Sequence, residues 1–147
     1  MPINNGWIKA GALVAALAVV LGGFDITTFV ESQNERQALE RAFDQAIFFQ
    51  LAHALAIVAV GILLALRPGK LLRASAWCFL LGTILFSGSV YLSAFTLIPE
   101  LAPVKLIGVV ILVIAWILLV EGACPGWNKK RATDDGAAEV ANSNIGV

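Results

Sequence analysis

The chain has 147 residues, of which 59% are hydrophobic and only 14% are charged. Ten basic residues balance ten acidic ones, so no overall electrostatic field favours nucleic acid as a partner. Residues 10–24 and 74–98 contain no charged residue at all, whereas a water-soluble helix carries a polar face beside its apolar stripe. The composition therefore predicts an integral membrane protein whose first partner is the lipid bilayer.

Four apolar stretches occupy residues 7–24, 47–66, 71–95 and 104–120. Each has about the length that a helix needs to cross a hydrocarbon layer of roughly 30 Å. We predict an all-α fold, a four-helix transmembrane bundle with spans at about residues 7–28, 39–66, 71–96 and 104–121. These spans form one membrane domain over residues 1–123, and the polar residues 124–147 are predicted to be a disordered cytoplasmic tail.

The first span begins near Lys9, and a single lysine before an apolar run is also found in signal peptides. The apolar run is longer than a signal peptide requires, so we expect it to be retained as a span. Gly11, Ala15, Ala18 and Gly22 recur at spacings of three or four, which predicts a smooth face for close helix packing.

The second span is predicted to start well before its apolar part. Ser32 and Glu35 match a capping box, and the helix they begin continues to Leu66. Such a helix is on the order of 50 Å long and extends past the outer membrane boundary. Phe43 lies on an apolar face of this extension, which indicates contact with the other helices or the boundary, although a plain solvated extension is equally compatible.

The next two connections are short and contain proline. Arg67-Pro68-Gly69-Lys70 predicts a type II turn, which makes spans two and three antiparallel neighbours. Pro103 suits the first turn of the fourth helix. Span three carries a face of small residues, which predicts a packing seam: Ser75, Cys78, Gly82, Ser89 and Ser93.

Basic residues are distributed unequally between the two sides of this topology. Seven are predicted on one side, namely Lys9, Arg67, Lys70, Arg73, Lys129, Lys130 and Arg131. Three are predicted on the other side, namely Arg36, Arg41 and Lys105. The positive-inside rule then places both termini in the cytoplasm.

A few polar side chains are predicted to lie inside the outer third of the membrane. Polar groups at such depth usually face a bundle interior and find partners there. We predict one cluster made of Gln50, His53, Ser87, Ser89 and Tyr91, with Asp25 at its rim. Two interpretations of His53 stay open: it binds a proton or a ligand, or it is a neutral residue that bonds a serine or tyrosine of span three.

The sequence lacks the residues that a metal or catalytic centre needs. One histidine and two separated cysteines cannot supply the ligands of a zinc site, and no catalytic triad, phosphate loop or carboxylate pair is present. We therefore predict no catalytic, cofactor-binding or metal-binding residues, no cofactor and no enzymatic activity.

Two segments resemble a known family. The run from Gln50 to Ala56 and the run from Gly82 to Tyr91, which includes Phe-Ser-Gly-Ser-Val-Tyr, resemble the transmembrane protein 256 family, also called domain of unknown function 423. The resemblance covers roughly residues 7–120 and implies a four-span fold in bacterial inner membranes, with no assigned chemistry. The family's histidine at the end of span one is replaced here by Thr27, which implies that a role depending on two histidines is altered in this chain.

Two functions are compatible with these features. Small-residue seams without a catalytic constellation favour a non-enzymatic accessory or assembly partner of a membrane complex, associating with other integral membrane proteins or with itself. The alternative is a small transporter or channel with a polar site around His53, which would need to oligomerise because four helices enclose little space.

Overall fold

A computed structural model describes residues 6–25, 31–96 and 101–124. Its helices are α1 (Gly6–Gly22), α2 (Gln33–Leu66), α3 (Lys70–Thr96) and α4 (Ala102–Ala123), and these described ranges contain no strand. The predicted all-α, four-helix transmembrane bundle is confirmed. The predicted disordered tail, apart from Cys124, and Thr27 lie outside the described residues.

Three of the four helices, α2, α3 and α4, are long and apolar enough to cross a membrane. Helix α1 is apolar but has 17 residues, and it ends at Gly22, six positions before the predicted end of span one. The amides of Gly23 and Phe24 bond to carbonyls three residues earlier, so the helix tightens and stops at the glycine pair. Residues 26–28, which complete the predicted span, lie outside the described residues.

Helix α1 runs antiparallel to the apolar part of α2. A Cβ atom added to Gly61 would lie 2.9 Å from the Ile8 backbone nitrogen, and one added to Gly22 would lie 3.7 Å from Ile47. The 14 residues from Ile47 to Gly61 span about 21 Å along the helix axis. Helix α1 therefore shares most of the membrane depth that the apolar part of α2 occupies.

The helices pack mainly in the order of the chain, as the pairs α1–α2, α2–α3 and α3–α4. The buried core lies between the last three helices and includes Ile57 and Val60 of α2, Phe79 of α3 and Ala115 of α4. Helix α4 is covered on one side only, because it buries just Gly108, Leu112 and Ala115. Most of the other residues between 106 and 120 are apolar and exposed, as expected for a helix that faces lipid.

The two predicted small-residue faces are packing seams. Gly11 of α1 lies so close to α2 that a Cβ atom there would be 2.7 Å from Val58 Cγ2. On the α3–α4 seam, a Cβ atom on Gly108 would be 2.7 Å from the Phe86 backbone nitrogen. Such approaches are possible only without a side chain, so glycine sets the distance between these helices.

The long second helix is confirmed, with 34 residues and Ser32 at its N-cap position. The capping box is only partly right, because the Ser32 side chain makes no capping hydrogen bond. Phe43 anchors the extension instead, with its ring 5.1 Å from Tyr91 and 6.3 Å from Phe95. The extension is therefore packed on α3, and the solvated alternative is wrong for this face.

The connection between α2 and α3 is as short as predicted, but the type II turn is wrong. Gly69 does not have the positive φ that the third position of such a turn requires. Its carbonyl instead accepts the first helical hydrogen bond of α3, from the Arg73 amide at 3.1 Å. Pro103 occupies the first turn of α4, as predicted.

Candidate functional site

Gln50 is the centre of a hydrogen-bonded junction between three helices. Its Nε2 donates to the Val14 carbonyl of α1 at 2.9 Å, and its Oε1 accepts from the Tyr91 hydroxyl of α3 at 2.8 Å. Gln50 is only 3% exposed, and a buried amide is costly unless it is hydrogen-bonded. Here both the amide nitrogen and the amide oxygen have a hydrogen-bond partner. The junction ties α1, α2 and α3 together through a single side chain.

Ser87 makes a second tie between α2 and α3. Its hydroxyl donates to the Ala46 carbonyl at 3.0 Å, one helical turn from Gln50. That carbonyl belongs to the backbone of a helix and has a second lone pair available for an additional donor. We call Gln50, Ser87 and Tyr91 the Gln50 group, because each makes a hydrogen bond to a neighbouring helix near the same turns of α2.

His53 lies apart from that group, in a junction between α2, α3 and α4. Its ring centroid is 5.8 Å from Phe49 and 5.8 Å from Phe79, and it is 6.3 Å from Trp116. Nδ1 is 2.6 Å from the Phe49 carbonyl of its own helix. The predicted bond to a serine or tyrosine of α3 is therefore replaced by a bond within α2 and by aromatic packing.

The bond to Phe49 fixes the tautomer of a neutral His53. A carbonyl oxygen can only accept, so Nδ1 must carry the proton and Nε2 keeps a lone pair. Among the described residues Nε2 has no hydrogen-bond partner, and the side chain is 7% exposed. The arrangement offers one acceptor for a hydrogen-bond donor, set among aromatic rings.

Ser89 and Asp25 are not drawn into the Gln50 group. The Ser89 hydroxyl donates to the Phe86 carbonyl at 2.8 Å, and Ser89 faces α4 in a small cavity with Ser93 and Lys105. Asp25 lines a cavity of about 310 Å³ with Glu40 and Asp44, at the end where α1 stops. The predicted single cluster is thus distributed over several places along α2 and α3.

Sequence reasoning missed two further ties between helices. The Ser75 hydroxyl donates to the Ala115 carbonyl of α4 at 2.8 Å, and Arg67 Nη2 donates to the Ala123 carbonyl at 2.9 Å. Ser75 was placed on the correct face by its spacing, but its acceptor depends on the register of α4. One of the aromatic contacts of His53 could have been predicted from the sequence, since Phe49 and His53 are four residues apart on one helix and therefore neighbours on its surface.

The side-chain hydrogen bonds of the described residues include bonds between helices and bonds within one helix. Among the described residues no group of three or more histidine, cysteine or acidic side chains could hold a metal ion. Lys105 approaches the Phe86 ring at 5.7 Å, which is a cation–π contact across the α3–α4 seam. Half of the buried polar side chains of the described residues, Gln50, Ser75 and Ser87, donate to the backbone of another helix. The other half, His53, Thr83 and Ser89, bond to a carbonyl of their own helix.

Helices long and apolar enough to cross a membrane, joined by buried polar ties, define a multi-pass helical membrane protein. Residues 26–120 match a family described as protein of unknown function (DUF423), and the chain belongs to that family. The family match begins after α1, later than the predicted start at residue 7.

Similar proteins from other bacteria are also described only as membrane proteins. The chain is 33% identical over 121 residues to a UPF0382 membrane protein of Haemophilus influenzae, covering 82% of this chain and 95% of the relative. It is 30% identical to UPF0382 membrane proteins of Staphylococcus saprophyticus, over 79% of this chain and 94% of the relative, and of Bacillus subtilis, over 80% and 94%. No solved structure matches the chain.

Proposed function

We propose that this protein is a non-enzymatic accessory or assembly partner of a membrane complex. The observation that carries the proposal is the use of the buried polar side chains. Gln50, Ser75 and Ser87 all donate to the backbone of a neighbouring helix, which makes a rigid platform rather than a reaction centre. Membership of a membrane protein family without an assigned activity is compatible with such a role.

The exposed surface of helix α4 is the surface best suited to pack against a partner helix. It packs on α3 and leaves an apolar ridge exposed, formed by Ile107, Val110, Ile114 and Ile117. β-Branched side chains of this kind are stiff and lose little rotamer freedom when a second helix covers them.

Site-specific photo-crosslinking in native membranes tests this proposal. A photoreactive residue at Val110 or Ile114 should give a discrete adduct with another membrane protein or a second copy. The matched control is the same residue at Leu13 on the exposed face of α1, which should give less of that adduct. Recovery of only the monomer, from several mild detergents and without an adduct at either α4 position, contradicts the proposal.

The proposed location is the inner membrane, with both termini in the cytoplasm. Lys9, Arg67, Lys70 and Arg73 all belong to one end of the described bundle, since Ile8 contacts Gly61 near the end of α2. Their concentration there supports a cytoplasmic side by the positive-inside rule.

A small transporter or channel is the second candidate, and the free lone pair on His53 Nε2 favours it. A solute or proton passing the α2–α4 junction could use that nitrogen as an acceptor. Proton flux into liposomes should then fall in His53→Ala, compared with Thr83→Ala as a control whose hydroxyl bonds only to its own helix at 2.7 Å. Equal flux in the two variants and the original protein excludes His53 from a proton pathway.

A further inference from the structure

An open groove of about 340 Å³ lies where the α2–α3 connection meets the last turn of α4. One part of its lining is apolar and includes Leu71 and Leu72, and the other part carries charges from Arg67, Lys70 and Glu121. This volume is at the lower end of the range of small-molecule sites, about 300–1,000 Å³. None of the buried ties that define the Gln50 junction uses this groove.

The groove lies at the level where apolar sequence gives way to charge. Leu66 is the last apolar residue of α2 before Arg67, and Glu121 follows the uncharged run 106–120 of α4. Trp7 and Trp77, packed edge to face at 5.0 Å, belong to the same end of the bundle. Tryptophan is enriched at the headgroup region, so a phospholipid headgroup is the natural occupant of a groove at this depth.

The groove carries both positive and negative charges, which favours a lipid headgroup that itself carries both an anionic and a cationic group. Arg67 uses one N–H for the Ala123 carbonyl and keeps other donors. Among the described residues the Lys70 ammonium has no hydrogen bond or ion pair, so it can donate to a phosphate oxygen. The Glu121 carboxylate has several lone pairs and can accept from a ligand ammonium beside any bond it already makes.

We propose that this groove binds a zwitterionic phospholipid with a primary ammonium group, such as phosphatidylethanolamine. Its phosphate lies against Arg67 and Lys70, its ammonium lies against Glu121, and the first carbons of its acyl chains contact Leu71 and Leu72. A phosphatidylglycerol headgroup satisfies the two cations but offers nothing cationic to Glu121. A phosphatidylcholine headgroup carries a cation that has no N–H to donate. The inference is independent of the partner proposed for α4.

Native mass spectrometry of the delipidated full chain tests the site with three added lipids that have identical acyl chains. We expect phosphatidylethanolamine to bind about threefold to fivefold more tightly than phosphatidylglycerol or phosphatidylcholine, the scale expected for partly exposed ion pairs. Lys70→Gln should weaken binding of phosphatidylethanolamine and phosphatidylglycerol together. Glu121→Gln should remove only the preference for phosphatidylethanolamine.

Arg73→Gln is the matched control, because Arg73 is exposed at the same end of the protein and does not line the groove. It removes the same charge as Lys70→Gln and should leave lipid binding within about twofold. Equal losses in the two variants, or tighter binding of phosphatidylglycerol than of phosphatidylethanolamine, overturn the proposal. Equally tight binding of soluble glycerophosphoethanolamine, which lacks acyl chains, also overturns it, because the leucine contacts would then contribute nothing.

Discussion

At the scale of single residues, the spacing between α3 and α4 depends on Gly108. A Cβ atom there would lie 2.7 Å from the Phe86 backbone nitrogen, which no side-chain rotation can relieve. Gly108→Ala should therefore lower the free energy of unfolding by about 1–3 kcal/mol, as overpacking does in other cores. Unfolding in mixed micelles with increasing denaturing detergent measures the change.

Gly88 provides the control for that substitution, since it lies two residues after Phe86 on α3 but does not face α4 closely. Among the described residues a Cβ atom at Gly88 would meet nothing within 4 Å. Gly88→Ala should be neutral or stabilise the helix by up to about 1 kcal/mol through its higher helix propensity. Equal destabilisation in the two variants would mean that close backbone approach is not what glycine provides at Gly108.

The Gln50 junction predicts a measurable coupling between two side chains. Tyr91→Phe removes the 2.8 Å bond to Gln50 Oε1 and should cost about 0.6–1.7 kcal/mol. Gln50→Leu removes the same bond together with the bond to Val14, so the double variant should cost less than the sum of the single ones. A double-mutant cycle on the free energy of unfolding gives the coupling, and strict additivity would show that the bond contributes nothing.

At the scale of elements, the extension of α2 is held by packing rather than by its cap. Ser32 makes no capping side-chain bond, so Ser32→Ala should cost less than about 0.5 kcal/mol, below the typical cap value of about 1 kcal/mol. Phe43 is 3% exposed and contacts two rings of α3, so Phe43→Ala should cost about 3 kcal/mol.

Amide hydrogen exchange measures how strongly each of these two variants destabilises the first turns of α2. Phe43→Ala should increase the exchange of amides in the first turns of α2, while Ser32→Ala should leave them close to the original protein. The opposite order would mean that the cap, and not the aromatic contact, holds the extension.

The elements themselves could largely be predicted from the sequence. Apolar length locates α2, α3 and α4 to within a few residues, apart from the start of α2, where the Ser32 N-cap was needed. The small-residue faces of α1 and α3 identified real seams because glycine spacing follows the helical repeat. Helix α1 ends at Gly22, where the following amides bond three residues back, although the apolar stretch itself continues to Phe24.

The candidate site was harder to predict, for a geometric reason. Gln50 and His53 are three positions apart and share a face of α2, yet about 60° of rotation separates them. That difference is enough to direct Gln50 to α1 and α3 and His53 to the junction with α4. Spacing within one helix predicts which residues are neighbours there, but hydrogen-bond partners depend on the rotation and register of the helices across the seam.

At the scale of the whole molecule, charge separates the two ends of the bundle. Lys9, Arg67, Lys70 and Arg73 belong to one end, where the described acidic residue is Glu121. The opposite end carries Arg36, Arg41 and Lys105 together with five described acidic residues: Asp25, Glu31, Glu35, Glu40 and Asp44. This polarity predicts which end stays in the cytoplasm, because translocation of basic segments is disfavoured.

Reporter fusions test that orientation and also test whether α1 crosses the membrane. Alkaline phosphatase fused after Gln33 should be active, and the same enzyme fused after Gly69 should be inactive, because only the first position lies outside the cytoplasm. Green fluorescent protein at the same two positions is the reciprocal control, since it should fluoresce only after Gly69. Activity after Gly69 with inactivity after Gln33 would overturn this orientation, either because the topology is reversed or because the 17 residues of α1 do not carry the chain across and α2 makes the first crossing. Phosphatase activity at neither position would mean that neither α1 nor α2 crosses the membrane.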